Sequence, residues 1–171
     1  MPARSHALDR ARVSSTVPLP PFQQLLDAHG RDVHRFLIAS VGRAEAEDCY
    51  QETWLSALRA YPKLRDGSNL RAWIFTIAHR KAIDAVRERR RVAVRSAEAP
   101  EPAIAGVEAA GDDDLWSSVR ELPAKQRAAV ALRFVADAGY AEISAAMGIS
   151  EEAARRNVHE ALKRLRREYR A

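Results

Sequence analysis

A chain of 171 residues with formal net charge +5 and pI near 9.8 has room for one domain or two small ones, and its basic excess favours approach to a polyanion. Its single cysteine, Cys49, excludes an internal disulfide framework and a cysteine-rich zinc site and suits a small core position in a reducing compartment. Arg4, Arg10 and Arg12 are not followed by an apolar leader, and no apolar run approaches the ~20 residues that cross a bilayer, so the expectation is a soluble cytoplasmic protein without membrane insertion.

Residues 1–21 mix Ser, Pro and Arg without a sustained period and read as a disordered N-terminal arm. Over 22–41, Phe22, Leu25, Leu26, His29, Val33, Phe36, Leu37 and Ser40 trace a helical stripe, which Gly30 interrupts as a bend or as the junction of two abutting helices. His29 and His34 lack a nearby cysteine or acidic motif and carry no metal assignment. The next stripe is the most regular: Ala46, Cys49, Tyr50, Thr53, Trp54, Ala57, Leu58 and Tyr61 share one side of a helix over 43–61 that Pro62 ends. Asp48, Gln51, Glu52, Leu55 and Arg59 take the other side. An acidic face with an apolar centre repels DNA; it fits either plain solvation or a basic protein partner anchored at Leu55.

After a loop over 63–69, a long helix is predicted from Leu70 to about Val94. Leu70, Ile74, Ile77 and Ala78 begin its apolar side, and Lys81 falls on that side with a stem that must snorkel. Arg71, Trp73, Phe75 and His79 lie in its first half, and Arg87, Arg89, Arg90, Arg91 and Arg95 in its second. Rings beside cations suit unpaired nucleic acid, because rings stack on bases while cations follow phosphates; at least one of Trp73 and Phe75 is expected in the core instead. Residues 96–111, with Glu98, Pro100, Glu101, Pro102, Gly106 and Glu108 among alanines, read as a flexible acidic linker.

Asp112, Asp113 and Asp114 open the next helix, where negative charge is favourable, and Leu115, Trp116, Val119 and Leu122 supply its apolar side. Pro123 opens another, with Ala128, Val130, Ala131, Leu132, Phe134 and Val135 furnishing the interior of a small bundle. Tyr140, Ile143 and Met147 then recur at helical steps, Gly148 follows as a C-terminal turn, and Ser150 caps a last helix. Its stripe of Ala154, Val158, Ala161, Leu162, Leu165 and Tyr169 leaves Glu152, Arg155, Arg156, His159 and Lys163 outward. This is a helix-turn-helix pattern, whose second helix reads base edges in a major groove; the competing reading is a solvated amphipathic helix.

The fold expected is therefore all-α: two small helical domains, 22–95 and 112–171, joined by the 96–111 linker, the second containing the helix-turn-helix. With the segments assembled, the chain resembles bacterial RNA polymerase sigma factors of the extracytoplasmic-function subgroup of the sigma-70 family, over residues 22–167. AEDCYQETWLSALRAY is similar to the segment that binds the polymerase clamp helices, and NLRAWIFTIAHRKAIDAVRERRR to the segment that melts promoters and reads the minus-ten element. ELPAKQRAAVALRFV followed by YAEISAAMGIS is similar to the minus-thirty-five domain.

The resemblance implies that Asp48, Gln51, Glu52 and Leu55 meet the clamp helices of core RNA polymerase. It places Arg71, Trp73, His79, Arg80, Lys81, Asp84 and Arg87 near the minus-ten element and Ser150, Glu152, Arg155, Arg156, His159 and Lys163 against minus-thirty-five DNA. It further implies a flap contact by the second domain, a linker threading toward the polymerase cleft, an anti-sigma factor clasping both domains, no cofactor and no catalytic site. Two departures stand out. Arg80 occupies a place where the family commonly has Asn, exchanging a base contact for a phosphate contact, and EEAARRNVHEAL differs enough from relatives that no base preference transfers. A stand-alone helix-turn-helix regulator explains the last helix but neither the acidic face nor the long basic one. A hydrolase or nuclease finds no phosphate-cradling glycine loop and no HExxH.

Overall fold

Leu25, Val33, Phe36 and Leu37 are buried along α1, Phe22–Val41, which is the first element of a computed structural model describing residues 18–65, 67–96 and 113–168. Gly30 does not divide this helix. It is buried where a Cβ would come within 2.9 Å of the Tyr50 hydroxyl, so glycine is there to let α2 approach. After Gly42, α2 runs Arg43–Ala60 and buries Ala46, Cys49, Thr53, Trp54 and Ala57. Pro62 lies inside a short 3-10 turn, Tyr61–Lys63, rather than beyond the helical segment.

Helix α3, Leu70–Ser96, starts where the Asn69 side chain accepts the Ala72 N–H at 3.0 Å, an N-cap that satisfies one of the orphan amides of the first turn. Helices α1, α2 and α3 pack pairwise into one bundle. Edge-to-face rings knit it together: Phe36 against Phe75 at 5.7 Å and Phe22 against Trp54 at 5.9 Å. Phe75 belongs to the core, while Trp73 is half-buried beside Tyr61.

The second bundle comprises α4 (Asp113–Glu121), α5 (Ala124–Val130), α6 (Tyr140–Met147) and α7 (Glu151–Glu168). It has a core of its own in Val119, Leu122, Val130, Ala161 and Leu165. Helix α5 continues as a widened π turn, Ala131–Val135. An added residue per turn rotates the later side chains about the axis, and Phe134 ends 58 % exposed rather than interior as its apolar run suggested. Leu115 is likewise exposed, not part of the buried side of α4.

The two bundles also share a core: Leu132, Ala136 and Ile143 join the cluster of Leu25, Val33 and Phe36. Helix α6 packs on α3, and α1 meets both α4 and the π turn. The arm over 1–17, the segment over 97–112 and Tyr169 lie outside the described residues. No helix among the described residues is long and apolar enough to cross a membrane.

Candidate functional site

Three surfaces carry the residues singled out in the sequence. On α2, Asp48, Gln51, Glu52 and Leu55 all stand in solvent on one side, with Leu55 52 % exposed. Leu58, expected on the buried stripe, is 51 % exposed. It stands one turn beyond Leu55, so the apolar centre of this face is a pair of leucines rather than one. Between α2 and α3 runs a groove of about 530 Å³ with Glu45, Asp48, Glu52, Asp84 and Glu88 on its walls. Cys49 lines it too; burial pushes the thiol up, and Glu45, Glu52 and Asp48 push the same way, so it stays protonated.

On α3 the residues expected at the minus-ten element are divided. Arg80, Asp84 and Arg87 are exposed. Lys81 is half-buried and pairs with Glu52 at 3.1 Å, which is how a cation on the apolar side is accommodated. His79 is only 8 % exposed, and burial, assisted by Arg80, lowers its pKa from 6.5 to about 4, leaving a neutral imidazole at physiological pH. Arg71 turns away from solvent toward the second bundle: its Nη1 donates to Glu142 Oε1 at 2.8 Å and its Nη2 to the Ala136 carbonyl. Trp73 packs against the shared core. The structure therefore does not bring all seven to one open surface.

On α7 the turn, the cap and the outward-facing side chains stand where the spacing puts them. Gly148 ends α6 with φ 64 and ψ 39, left-handed values that favour glycine, and the Ser150 Oγ accepts the Ala153 N–H at 3.1 Å. Ala154, Val158 and Ala161 are buried, which turns Glu152, Arg155, Arg156, His159 and Lys163 to water beside Ser150. Arg155 and Arg156 pair one turn back with Glu151 at 3.2 Å and Glu152 at 3.1 Å, and the Arg155 guanidinium lies 5.0 Å from the Tyr140 ring. Exposed pairs of this kind are worth about 0.3–0.5 kcal/mol, so a phosphate displaces them readily.

One buried cation escaped sequence reasoning. Arg127, on α5, donates to the Ser40 carbonyl of α1 at 3.0 Å and to Leu122 O at 3.3 Å, and its Nε has no hydrogen-bond partner. Nothing local in AKQRAAV marks that arginine as interior. No group of three His, Cys, Asp or Glu side chains among the described residues is placed to hold a metal ion.

Comparison with known proteins adds to this geometry. The model of Sigma-70 region 2 matches residues 25–92, and that of Sigma-70, region 4 matches residues 112–165. The RNA polymerase sigma factor CarQ of Myxococcus xanthus is 33 % identical over 153 residues, covering 85 % of this chain and 87 % of the relative. The ECF RNA polymerase sigma factor SigD of Mycobacterium tuberculosis is 35 % identical over 150 residues, covering 80 % and 71 %. Among solved structures, the sigma factor RpoE of Bartonella quintana, in complex with the anti-sigma factor NepR, superposes with a TM-score of 0.73. It is 26 % identical, and the match covers 88 % of this chain and 97 % of that one.

Proposed function

The chain belongs to the sigma-70 family of RNA polymerase sigma factors, in its extracytoplasmic-function subgroup, and from that premise we propose a role for each of the three surfaces. It binds core RNA polymerase and directs promoter recognition, promoter melting and transcription initiation at a subset of genes. Sigma factors are non-enzymatic initiation factors, and in this reading the chain has no catalytic site of its own and acts in the cytoplasm. Its working units are 22–95 and 112–171.

Asp48, Gln51 and Glu52 orient the factor on the clamp helices, and Leu55 anchors it, joined by Leu58. Solvated carboxylates set register and encounter rate, while a desolvated leucine supplies affinity. Arg80 and Arg87 follow the phosphates of the non-template strand, with Asp84 beside them; Arg71, Trp73, His79 and Lys81 complete that surface once they are free of their protein partners. Capturing unstacked bases favours the melted state without any chemistry, because only differential binding shifts an equilibrium. Ser150, Glu152, Arg155, Arg156, His159 and Lys163 meet minus-thirty-five DNA, with Arg155 and Arg156 reaching furthest toward base edges. The second bundle also holds the polymerase flap, and an anti-sigma factor binds the chain, as one binds the Bartonella relative.

The observation that carries this reading is the segregation of charge: α2 presents carboxylates around exposed leucines, whereas α7 presents arginines around none. A charge reversal at Asp48 combined with Leu55→Ala tests it. Both side chains are exposed, so the helical content and melting temperature stay at wild type while capture of core polymerase falls by about 100-fold or more. Core capture at the wild-type level would remove α2 from the interface.

A further inference from the structure

We propose that a cavity between α3 and α5 is an anion site whose ligand is a diphosphate group, either free or at the end of a nucleotide. Arg87 and Arg90 of α3 and Lys125 and Arg127 of α5 line it beside His79, around a volume of about 220 Å³. No carboxylate lines this cavity, and none of its four cations forms an ion pair among the described residues. Arg71, Lys81 and Arg89, which reach other elements from the same long helix, each meet a carboxylate: Glu142, Glu52 and Glu45. The counter-charge supplied to those three is missing from the cavity.

Arg127 distinguishes the cavity from a solvated basic patch. It is 7 % exposed and is fixed by its donations to the Ser40 and Leu122 carbonyls, while its buried Nε has no hydrogen-bond partner. Arg87, Arg90 and Lys125 are exposed and turn to water freely, but Arg127 is held where it is. Burial first, and then Arg89, Arg90 and Arg120, push its pKa down. A cation so placed is costly until an anion joins it.

Charge and size select the anion. One phosphoryl group, at about −1.5 to −2, balances only part of four cations, and two linked groups come closer. Guanidinium forks match phosphate oxygens, and the apolar wall of Ala82, Ile83, Val86 and Ala128 strengthens each charged contact by keeping water away. The volume is below the roughly 300–1,000 Å³ of sites for drug-sized ligands, so a nucleoside attached to the diphosphate stays outside.

The test is calorimetric titration of the full chain with inorganic pyrophosphate at physiological ionic strength in magnesium-free buffer, with the His79 ring followed by NMR. One equivalent is expected to bind, to move the ring resonances, and to bind at least about tenfold more tightly than orthophosphate, a second charged contact being worth about that factor. Arg90→Gln with Lys125→Gln should weaken pyrophosphate by about tenfold or more. Both side chains are exposed, so the fold is kept, and Arg87, assigned above to strand phosphates, stays in place. Arg59→Gln with Lys63→Gln removes the same charge from exposed positions outside the cavity and should leave the affinity unchanged. A titration with ATP separates the two sources: binding with the same sensitivity to Arg90→Gln and Lys125→Gln assigns a nucleotide end, and no binding assigns free diphosphate.

Absence of pyrophosphate binding, or equal loss in the two double variants, would overturn the site. A His79 ring that stays unmoved would place the ligand elsewhere and overturn it too, and orthophosphate binding as tightly as pyrophosphate would overturn the diphosphate assignment. The affinity of Arg90→Gln with Lys125→Gln for a random-sequence single-stranded 20-nucleotide DNA supplies the remaining check. A loss there as large as the loss for pyrophosphate would give these cations to a nucleic-acid backbone, and the small-anion site would fall.

Discussion

Helices α3 and α7 both carry rows of arginine, yet they use them differently. The ion pairs of Arg155 and Arg156 on α7 lie within their own helix, with Glu151 and Glu152, and all four side chains stay in solvent, Arg155 also resting against the Tyr140 ring of α6. Those of α3 reach other elements: Arg71 to Glu142 on α6, Lys81 to Glu52 on α2, and Arg89 to Glu45 at 2.6 Å and the Val41 carbonyl at 2.8 Å. Pairs within a helix dissolve at little cost when a phosphate arrives. Pairs between helices hold the fold, so changes on α3 touch stability and binding together, whereas changes on the outer side of α7 touch binding alone.

The largest effect expected from this contrast is a pH dependence centred on α3. His79 titrates at about 4 in the folded chain against an ordinary 6.5. Between those values the unfolded chain binds more protons, so stability rises with pH and is lost as pH falls from 6.5 toward 4, by about 3 kcal/mol in all. Protonation would place a cation among Arg87, Arg90, Lys125 and Arg127, which line the same cavity. His29 adds to the loss: burial and then Arg71 lower its pKa, against Asp32 and Glu142. Glu142 extends the loss below its ordinary 4.5: burial works to raise it, but the Arg71 and Gly139 hydrogen bonds and nearby cations outweigh that and hold it down. Denaturant melts at pH 7 and pH 5 check this, and His79→Gln should flatten the difference; equal slopes in both chains would sink the assignment.

Such long-range features are what local pattern could not supply. The helix periods, Gly148 as a left-handed end and Ser150 as a cap depend on near neighbours along the chain, and each stands where the spacing put it. Arg71 and Glu142 are 71 residues apart, and no helical period relates them. Leu58 shows the limit of a stripe: periodicity fixes the middle of a buried face, but its edges depend on how far the neighbouring helix extends. Phe134 was lost to the π turn, whose extra residue shifts the phase of the side chains after it. Gly30 reads locally as a break and is instead a contact, visible only once Tyr50 is placed against it. For the candidate site the same division holds. The α2 and α7 faces, being solvent-exposed, were legible as charge patterns, while the engagement of Arg71 and His79 was not.

A middle-sized effect separates the two helices by what is lost. Arg155→Ala with Arg156→Ala should weaken promoter DNA recognition by about 10- to 100-fold, since a well-placed arginine contact is worth about 1–3 kcal/mol of discrimination. The salt dependence of DNA binding should become shallower by up to about two units of slope, one for each phosphate charge forgone. Core capture should hold and thermal stability should change little, because both side chains are exposed, their ion pairs among the described residues are within α7, and the contact Arg155 makes outside it is with the Tyr140 ring. A fall in core capture to match the fall in DNA recognition would return α7 to the same class as α3.

The smallest effect asks whether the α7 face owes its aim to a single turn. Gly148 sits at φ 64 with nothing within 4 Å of where a Cβ would stand, so Gly148→Ala meets no clash and only the left-handed backbone cost. That cost is about 1 kcal/mol. Its effect should be confined to the second bundle, because the turn is held locally: Ile149 donates its N–H to Ser144 O at 3.1 Å, and the Ser144 hydroxyl donates to the Ile149 carbonyl at 2.6 Å. Hydrogen exchange should therefore quicken in α6 and α7 and stay unchanged at Phe36 and Thr53, which are fully enclosed in the first bundle. If the first bundle loosened equally, the shared core around Ile143 would transmit the strain, and the two proposed nucleic-acid surfaces would have to be treated as one mechanical unit.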